Sequence, residues 1–361
     1  MARKILILTI LILAVFSFSV YAEDELETYE KALILEVLQE ETSGEIIDTV
    51  QFVKLKVLTG KYKDQTFNVE NVQSGHPIYD IPVKEGDKVM VYIEEIEDGS
   101  LDVNITDYVR SNYIFILIIV FILTLLLIGK TKGLKTIVTL IFTMFMIFKV
   151  LLPMILKGFN PVIITVIISS IITIVTMVII SGISKKTLAA ILGTVSGVLI
   201  AGVLAFIIGA KVRLTGLSSE EAVMLTYIPQ DVNFNFRDLL FSGILLGTLG
   251  AVMDVSMSIA SSIEEINKAN KNLSMKELLL SAMNVGKDIM GTMSNTLILA
   301  YTGSTVPLML LFMAYETSLI RIINMDIIAT EIIRSLAGSI GLILAIPITG
   351  VIGAMLVKRD K

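Results

Sequence analysis

From residue 113 onward the chain carries apolar runs long enough to cross a lipid bilayer, for which about 20 residues suffice. Seven such runs stand at 113–128, 134–156, 161–180, 187–210, 239–262, 288–312 and 328–357. Inside hydrocarbon every backbone group must find a partner within the protein, so runs of this kind are expected as helices. The first is short. The last is long, so its outer end is expected to lie along the interface. Gly303 and Pro307 interrupt the sixth, which is therefore expected as a broken span.

The rest of the composition agrees. Hydrophobic residues make up 54% of the 361 residues, charged residues 17%, and the mean hydropathy is +0.82. These values exclude a disordered chain and argue against an ordinary soluble domain. Charge is unevenly spread. Residues 23–110 hold 21 acidic and 8 basic residues, whereas 111–361 hold 13 acidic and 19 basic. The chain therefore joins an acidic, polar front (23–110) to a long apolar back (111–361).

Residues 1–22 have the form of a signal peptide or an N-terminal anchor. Arg3 and Lys4 start it, 5–16 are apolar, and Val20, Tyr21 and Ala22 provide a small-residue cleavage site. Either form places residues 23–110 outside the cytoplasm. Residues 29–109 have β character: Val50, Phe52, Val53, Leu55 and Val57 make a β-rich run. Turns at 59–64, 83–88 and 97–100 separate it from strands at 66–72, 89–93 and 101–105. Five short strands with glycine turns predict a small barrel of the oligonucleotide/oligosaccharide-binding type, or a related sandwich. Its negative charge argues against a nucleic-acid partner, since phosphates need Lys and Arg.

Lysine and arginine set the orientation. With the β domain outside, the loops after spans one, three and five and the tail carry 12 basic residues, and the opposite connections carry 5. The expected location is the cell membrane, multi-pass, with 23–110 outside and the C-terminus inside. Residues 217–238 read as an outer surface helix plus a turn. Residues 263–286 read as a charged helical hairpin on the inner side.

Chemistry concentrates on few residues. The chain has no Cys and a single His, His76, so disulfides, thiolate metal sites and multi-histidine metal sites are excluded. His76 lies in the loop 74–77. Asp254 sits mid-span, where a charge costs roughly 2.5–3.5 kcal/mol on insertion scales and faces the bundle interior or water. Gly243, Gly247, Gly250, Asp254, Ser258 and Ser261 share one helical face, a small-residue face that permits close backbone approach. Thr292 and Asn295 share a side of the sixth span. Counted from the span ends at about 1.5 Å per residue, Asn295 and Asp254 lie at similar depth, about 10–12 Å from the inner boundary. Thr173, Thr194 and Thr349 reach the same depth. Such a layer around one carboxylate fits an ion or proton site formed by Asp254, Ser258, Thr292 and Asn295. It also fits ordinary interhelical hydrogen bonding, which is the commoner role of single threonines.

In the last span Glu331, Arg334, Gly338, Gly341, Ala345, Thr349 and Gly353 share a face. Glu331 and Arg334 form a self-neutralising pair or a gate. Gly129, Lys130 and Thr131 have the form of a P-loop ending, but position 124 is Thr and the segment closes a span, so no nucleotide site is supported. There is no GxSxG elbow, no His in the membrane part and no carboxylate dyad around Asp254.

With these segments in hand, the chain resembles the YibE/F family of bacterial multi-span membrane proteins. The resemblance lies in Lys186, Thr187, Leu188, Ala189 and Ala190 with the span after them, and in 247–262, 286–303 and 329–349. Lys287 departs from it, standing where Arg is expected. The resemblance implies an integral membrane protein and brings neither a substrate nor a catalytic residue. The residues predict an α-helical polytopic membrane protein with a small extracytoplasmic β domain, acting as a permease or ion-coupled transporter for a small solute or ion. The alternative is a non-transporting scaffold or accessory subunit whose β domain binds an envelope protein. Neither is an enzyme, and no cofactor is expected. Beyond the lipid bilayer and a solute, expected partners are an envelope protein or further copies of the chain.

Overall fold

The computed structural model describes residues 27–44, 47–76, 80–96, 99–228 and 233–358. The signal segment, Glu97 and Asp98 of the third turn, Pro229, and Arg359 and Lys361 lie outside the described residues. The chain forms two compact units, Met1–Ile128 and Gly129–Lys361.

The first unit is built on β1 (Glu27–Gly44), β2 (Ile47–Val57), β3 (Thr66–Gln73), β4 (Lys88–Glu95) and β5 (Leu101–Tyr108). Neighbours pair antiparallel in the order β3-β2-β1-β4-β5. The two edges, β3 and β5, come close to one another, so the sheet is a nearly closed barrel. β1 pairs with β4 over its first part and with β2 over its second. Register shifts at Ile34/Glu36 and Val37/Gln39 bend it so that one strand serves both neighbours. Alternate residues point inward, and Ile34, Val53, Leu55, Val57, Val89, Val91 and Ile93 fill the interior.

A cluster of side-chain amides fastens the connection between β3 and β4. Gln51, buried on β2, accepts from Val83 N (3.0 Å), Gln73 Nε2 (2.8 Å) and Asn71 Nδ2 (3.2 Å), and Asn71 also donates to Ile81 O (2.8 Å). Gln51→Leu keeps the volume and leaves the Val83 N–H and the Gln73 amide without this acceptor and Asn71 with Ile81 O alone, a buried donor left unpaired costing about 1–3 kcal/mol. Amides of β2 and β3 are expected to exchange hydrogen roughly 30–150-fold faster, the equivalent of about 2–3 kcal/mol. Exchange within about fivefold of wild type, roughly 1 kcal/mol, would show that the cluster does not hold this connection.

α1 (Ser111–Leu156) begins in the first unit and continues in the second. At 46 residues it would be about 69 Å long, more than twice the hydrocarbon thickness of about 30 Å. It is not one straight helix. Lys130 has φ 48° and ψ −123°, which breaks the helix between the first two expected spans, and Met146–Leu151 is a π-helical stretch.

The second unit continues with α2 (Pro161–Ser181), α3 (Lys185–Lys211), the short α4 (Glu220–Met224), α5 (Phe236–Ala269), α6 (Met275–Ser304), α7 (Val306–Ala314), the short α8 (Leu319–Ile323) and α9 (Asp326–Lys358). Five helices, α1, α2, α3, α5 and α9, are long and apolar enough to cross a membrane. The pair α6 and α7, bent by 61° at Thr305, is a sixth if the two together form one broken span rather than a re-entrant loop. The break falls beside Gly303 and Pro307, as expected. The seventh expected span depends on the break in α1 at Lys130. α4 is the surface helix of the 217–238 segment, capped by Ser219. α5 and α6 form the helical hairpin expected over 263–286, and Ser274 and Glu277 cap α6 reciprocally.

Where the helices touch closely, small residues allow it. α3 carries Gly193, Gly197, Ala201, Ala205 and Gly209 at every fourth position, all buried; Gly197 and Ala201 lie against the buried Gly341 and Ala345 of α9, and Gly338 of α9 meets Thr248 of α5. A methyl group on Gly341 would sit 2.5 Å from the Gly197 carbonyl oxygen. This is backbone on backbone, the small-residue contact typical of membrane helices. The face of the last span singled out in the sequence is thus the packed one.

Candidate functional site

Asp254 lies near the middle of α5 and is exposed on the surface of the unit. So are Gly243, Gly247, Gly250 and Ser258. A methyl group on Gly243 or Gly250 would meet nothing within 4 Å. The glycine face of α5 is therefore an open flank; the opposite face, with Ile244, Val252, Val255 and Ile259, is the one in the core. The reason is volume: branched residues fill the space against α3 and α9, and glycine is left where nothing has to be filled.

α6 runs antiparallel beside α5, and two contacts fix its register. The Tyr301 hydroxyl meets Gly247, and Ile259 meets Gly286. Seven residues along α5 from Gly247, Asp254 falls opposite Ser294; five residues back from Ile259, it falls opposite Gly291. Thr292 lies within that interval and Asn295 one residue beyond it. These contacts place Asp254 level with the 291–294 stretch of α6, and Ser258 lies one turn further along α5. All four side chains are exposed. The Thr292 hydroxyl donates to Ile289 O of its own helix at 3.1 Å. Asp254 makes no hydrogen bond or ion pair with the described residues.

The threonines of equal depth belong elsewhere. Thr173, Thr194 and Thr349 are fully buried. Thr173 and Thr194 bond back to Ser169 O and Ala190 O, both at 2.8 Å, which satisfies the hydroxyl locally. Those two are packing residues; the buried Thr349 hydroxyl has no hydrogen-bond partner among the described residues.

Glu331 and Arg334 form an ion pair at 2.8 Å, with the guanidinium 5.9 Å from the Tyr301 ring centre. Tyr301 thereby links α9 to the glycine face of α5. At the start of α5, Asn160 caps α2 through Ile163 N (3.0 Å) and donates to Asp238 Oδ2 at 2.9 Å, which ties α2 to α5. The sequence reading passed over Lys149. It lies inside the second apolar run, within the π-helical stretch, is exposed, and makes no hydrogen bond or ion pair with the described residues. A lone cation in an apolar run was the signal for it.

With this geometry the family can be assigned. The YibE/F-like protein family matches residues 117–359, and the YibE/F family N-terminal domain matches residues 25–108. The chain belongs to the YibE/F family. Neither a curated protein nor a solved structure matches it. This YibE/F member is a membrane protein: an N-terminal β barrel followed by apolar helices long enough to span a bilayer. Among its described residues no group of His, Cys, Asp and Glu could hold a metal ion.

Proposed function

We propose that this YibE/F protein is a permease of the cell membrane, driven by an ion gradient, with Asp254 as the carboxylate that binds the ion or proton. The single observation carrying this reading is an unpartnered acid in the middle of a spanning helix, level with Thr292 and Asn295 of the adjacent helix. Intramembrane acids are costly and mark ion and proton pathways. The 61° break between α6 and α7 supports it, because transporters build their sites beside discontinuous spans. In this reading the open flank of α5 and α6 is the path, and its glycines let an ion pass close to the backbone. The barrel lies outside, the C-terminus inside, and neither catalysis nor a cofactor is involved.

A second reading, an envelope scaffold, is favoured by one feature of the barrel. The seam between β3 and β5 holds a cleft of about 400 Å³, lined by Asn68, Glu70, Asp102 and Asn104 among others, where a partner could dock. The readings part in proteoliposomes. The wild-type protein is expected to dissipate an imposed proton, sodium or potassium gradient, and deletion of residues 29–105 behind the retained signal is expected to keep part of that flux. Absence of flux under all three gradients, with a cellular phenotype that vanishes on the deletion at normal membrane abundance, would favour the scaffold.

A further inference from the structure

The barrel is paired throughout except along one seam. Its neighbouring strands are all antiparallel, and counting outward from β1 on either side makes β3 and β5 run in the same direction. The two come close without bonding to each other, so both keep an unpaired backbone edge among the described residues. Direct closure would be a parallel pairing, slightly the weaker kind. A strand entering between them can instead run antiparallel to both. We propose that the seam takes up an extended segment of another protein as a sixth strand, in which apolar residues alternate with Lys or Arg. The inference rests on the scaffold reading of this seam and gives its partner a chemistry.

The side chains set the pattern of the incoming strand. Val69 and Val103 are buried, and Phe67 and Leu101 pack against the same core, so these four make the apolar floor of the cleft. Asn68 and Glu70 on β3, and Asp102 and Asn104 on β5, are exposed and flank its mouth. Successive residues of a strand point to opposite faces. Every second residue of an inserted strand therefore meets the floor, and the others stand between the two polar rows.

Charge decides what those outer residues are. Glu70 and Asp102 line the cleft, and no Lys or Arg does so among the described residues. One strand further in, Lys54 of β2 stands opposite Asn68 and Glu94 of β4 stands opposite Asp102, a cation and an acid that balance. The seam is left negative. Like charges directly opposite, as Glu94 and Asp102 are, destabilise a sheet. A Lys or Arg arriving beside Asp102 relieves that repulsion.

The backbone supplies the affinity. Adding a strand to a bare sheet edge is a recurring way of holding a peptide, with main-chain hydrogen bonds for affinity and alternate side chains for specificity. Here the incoming strand gains two edges at once, each eight residues long. The cleft of about 400 Å³ is within the usual range for ligand sites, about 300–1,000 Å³. Nothing has to be unpaired to admit the strand, because β3 and β5 share no ladder. None of these residues belongs to the Asp254 flank, so the site stands whether or not the permease reading does.

The test uses the full chain in lipid nanodiscs with three synthetic octapeptides. The first alternates Lys and Val, the second Glu and Val, and the third Lys and Pro, which carries the charge of the first but cannot pair as a strand. Amide hydrogen exchange reads β3 and β5, and fluorescence anisotropy of the labelled peptides reads affinity. At ten times its Kd, the Lys–Val peptide should slow the edge amides of both β3 and β5 about tenfold. Protection of one edge alone would mean addition outside the barrel and would overturn the insertion. Equal affinity of the Lys–Pro peptide would reduce the effect to charge attraction and would also overturn it. Glu70→Gln with Asp102→Asn should weaken the Lys–Val peptide about fivefold. Acids that only guard bare edges against pairing would make the same variant bind more tightly. Both side chains are exposed, and unchanged exchange in β1 and β2 shows that the variant barrel is folded. Glu70→Lys with Asp102→Lys should shift the preference to the Glu–Val peptide. No protection by any peptide would overturn the proposal and leave the scaffold reading itself to the flux measurement and the 29–105 deletion.

Discussion

Asp254→Asn is expected to reduce ion flux in proteoliposomes to the level of empty liposomes, while the protein inserts and unfolds at or above the wild-type temperature. The two effects have opposite signs for one reason. The carboxylate makes no bond to the described residues, so nothing in the fold is lost when it becomes an amide. Removing a charge from mid-span relieves an insertion cost of roughly 2.5–3.5 kcal/mol. Asn keeps the size and the hydrogen-bonding capacity but cannot ionise. Asp254→Leu extends the test. Were Asp254 glue between helices of one chain, Leu would misfold the protein. Exposed on an open flank, it should fold as well as Asn does and be equally inactive. Wild-type flux from Asp254→Asn would remove ionisation at this position from the mechanism.

Gly341→Val is expected to prevent the bundle from assembling, with little protein reaching the membrane and any that does unfolding far below wild type. Overpacking a core usually costs about 1–3 kcal/mol because side chains turn aside. Here even the first carbon would stand 2.5 Å from a backbone oxygen of α3 and 2.7 Å from the Ala201 methyl group. Neither neighbour can rotate away, so α3 and α9 must separate, at about 4 kcal/mol or more. Gly250→Ala is the matched control. It meets nothing within 4 Å, and its effect should stay within about 0.5 kcal/mol. Normal abundance and stability of Gly341→Val would mean that α3 and α9 do not cross where described.

These two glycines also show how far the sequence could be read. Spacing correctly grouped Gly243, Gly247, Gly250 and Asp254 on one face, and Gly338, Gly341 and Ala345 on another. It could not say which face meets a helix, because that depends on what the opposite side of each helix must bury. α5 turns its branched residues inward and leaves its glycines open; α9 buries Gly338, Gly341 and Gly353 together with Ile333, Leu342 and Ile346. The break in the sixth span was legible because Gly303 and Pro307 act locally. The strands of the barrel were legible for the same reason, from alternation and turns. The amide cluster around Gln51 was not, since it joins β2, β3 and a loop about 30 residues away. The level shared by Asp254, Thr292 and Asn295 could be counted from the ends of the runs; the direction in which they face could not.

The way α6 is held gives it a mechanical property. Leu278, Ala282 and Gly286 are buried near its start, and beyond them only Leu297 is buried among the described residues of that helix. Its far end stops at the bend into α7, so no straight continuation braces it. α6 is therefore a beam clamped near its start and tethered toward its far end by Leu297 and by Tyr301, which touches Gly247 and lies beside Arg334. From Gly286 to Ser304 the beam measures about 27 Å, so a tilt of about 5° at the clamp moves its tip by roughly 2 Å. Thr292 and Asn295 ride about a third to a half of the way along it and Tyr301 rides near the tip. A small rotation at one end widens or narrows the whole space over Asp254 without unpacking a single residue of the α3–α9 seam.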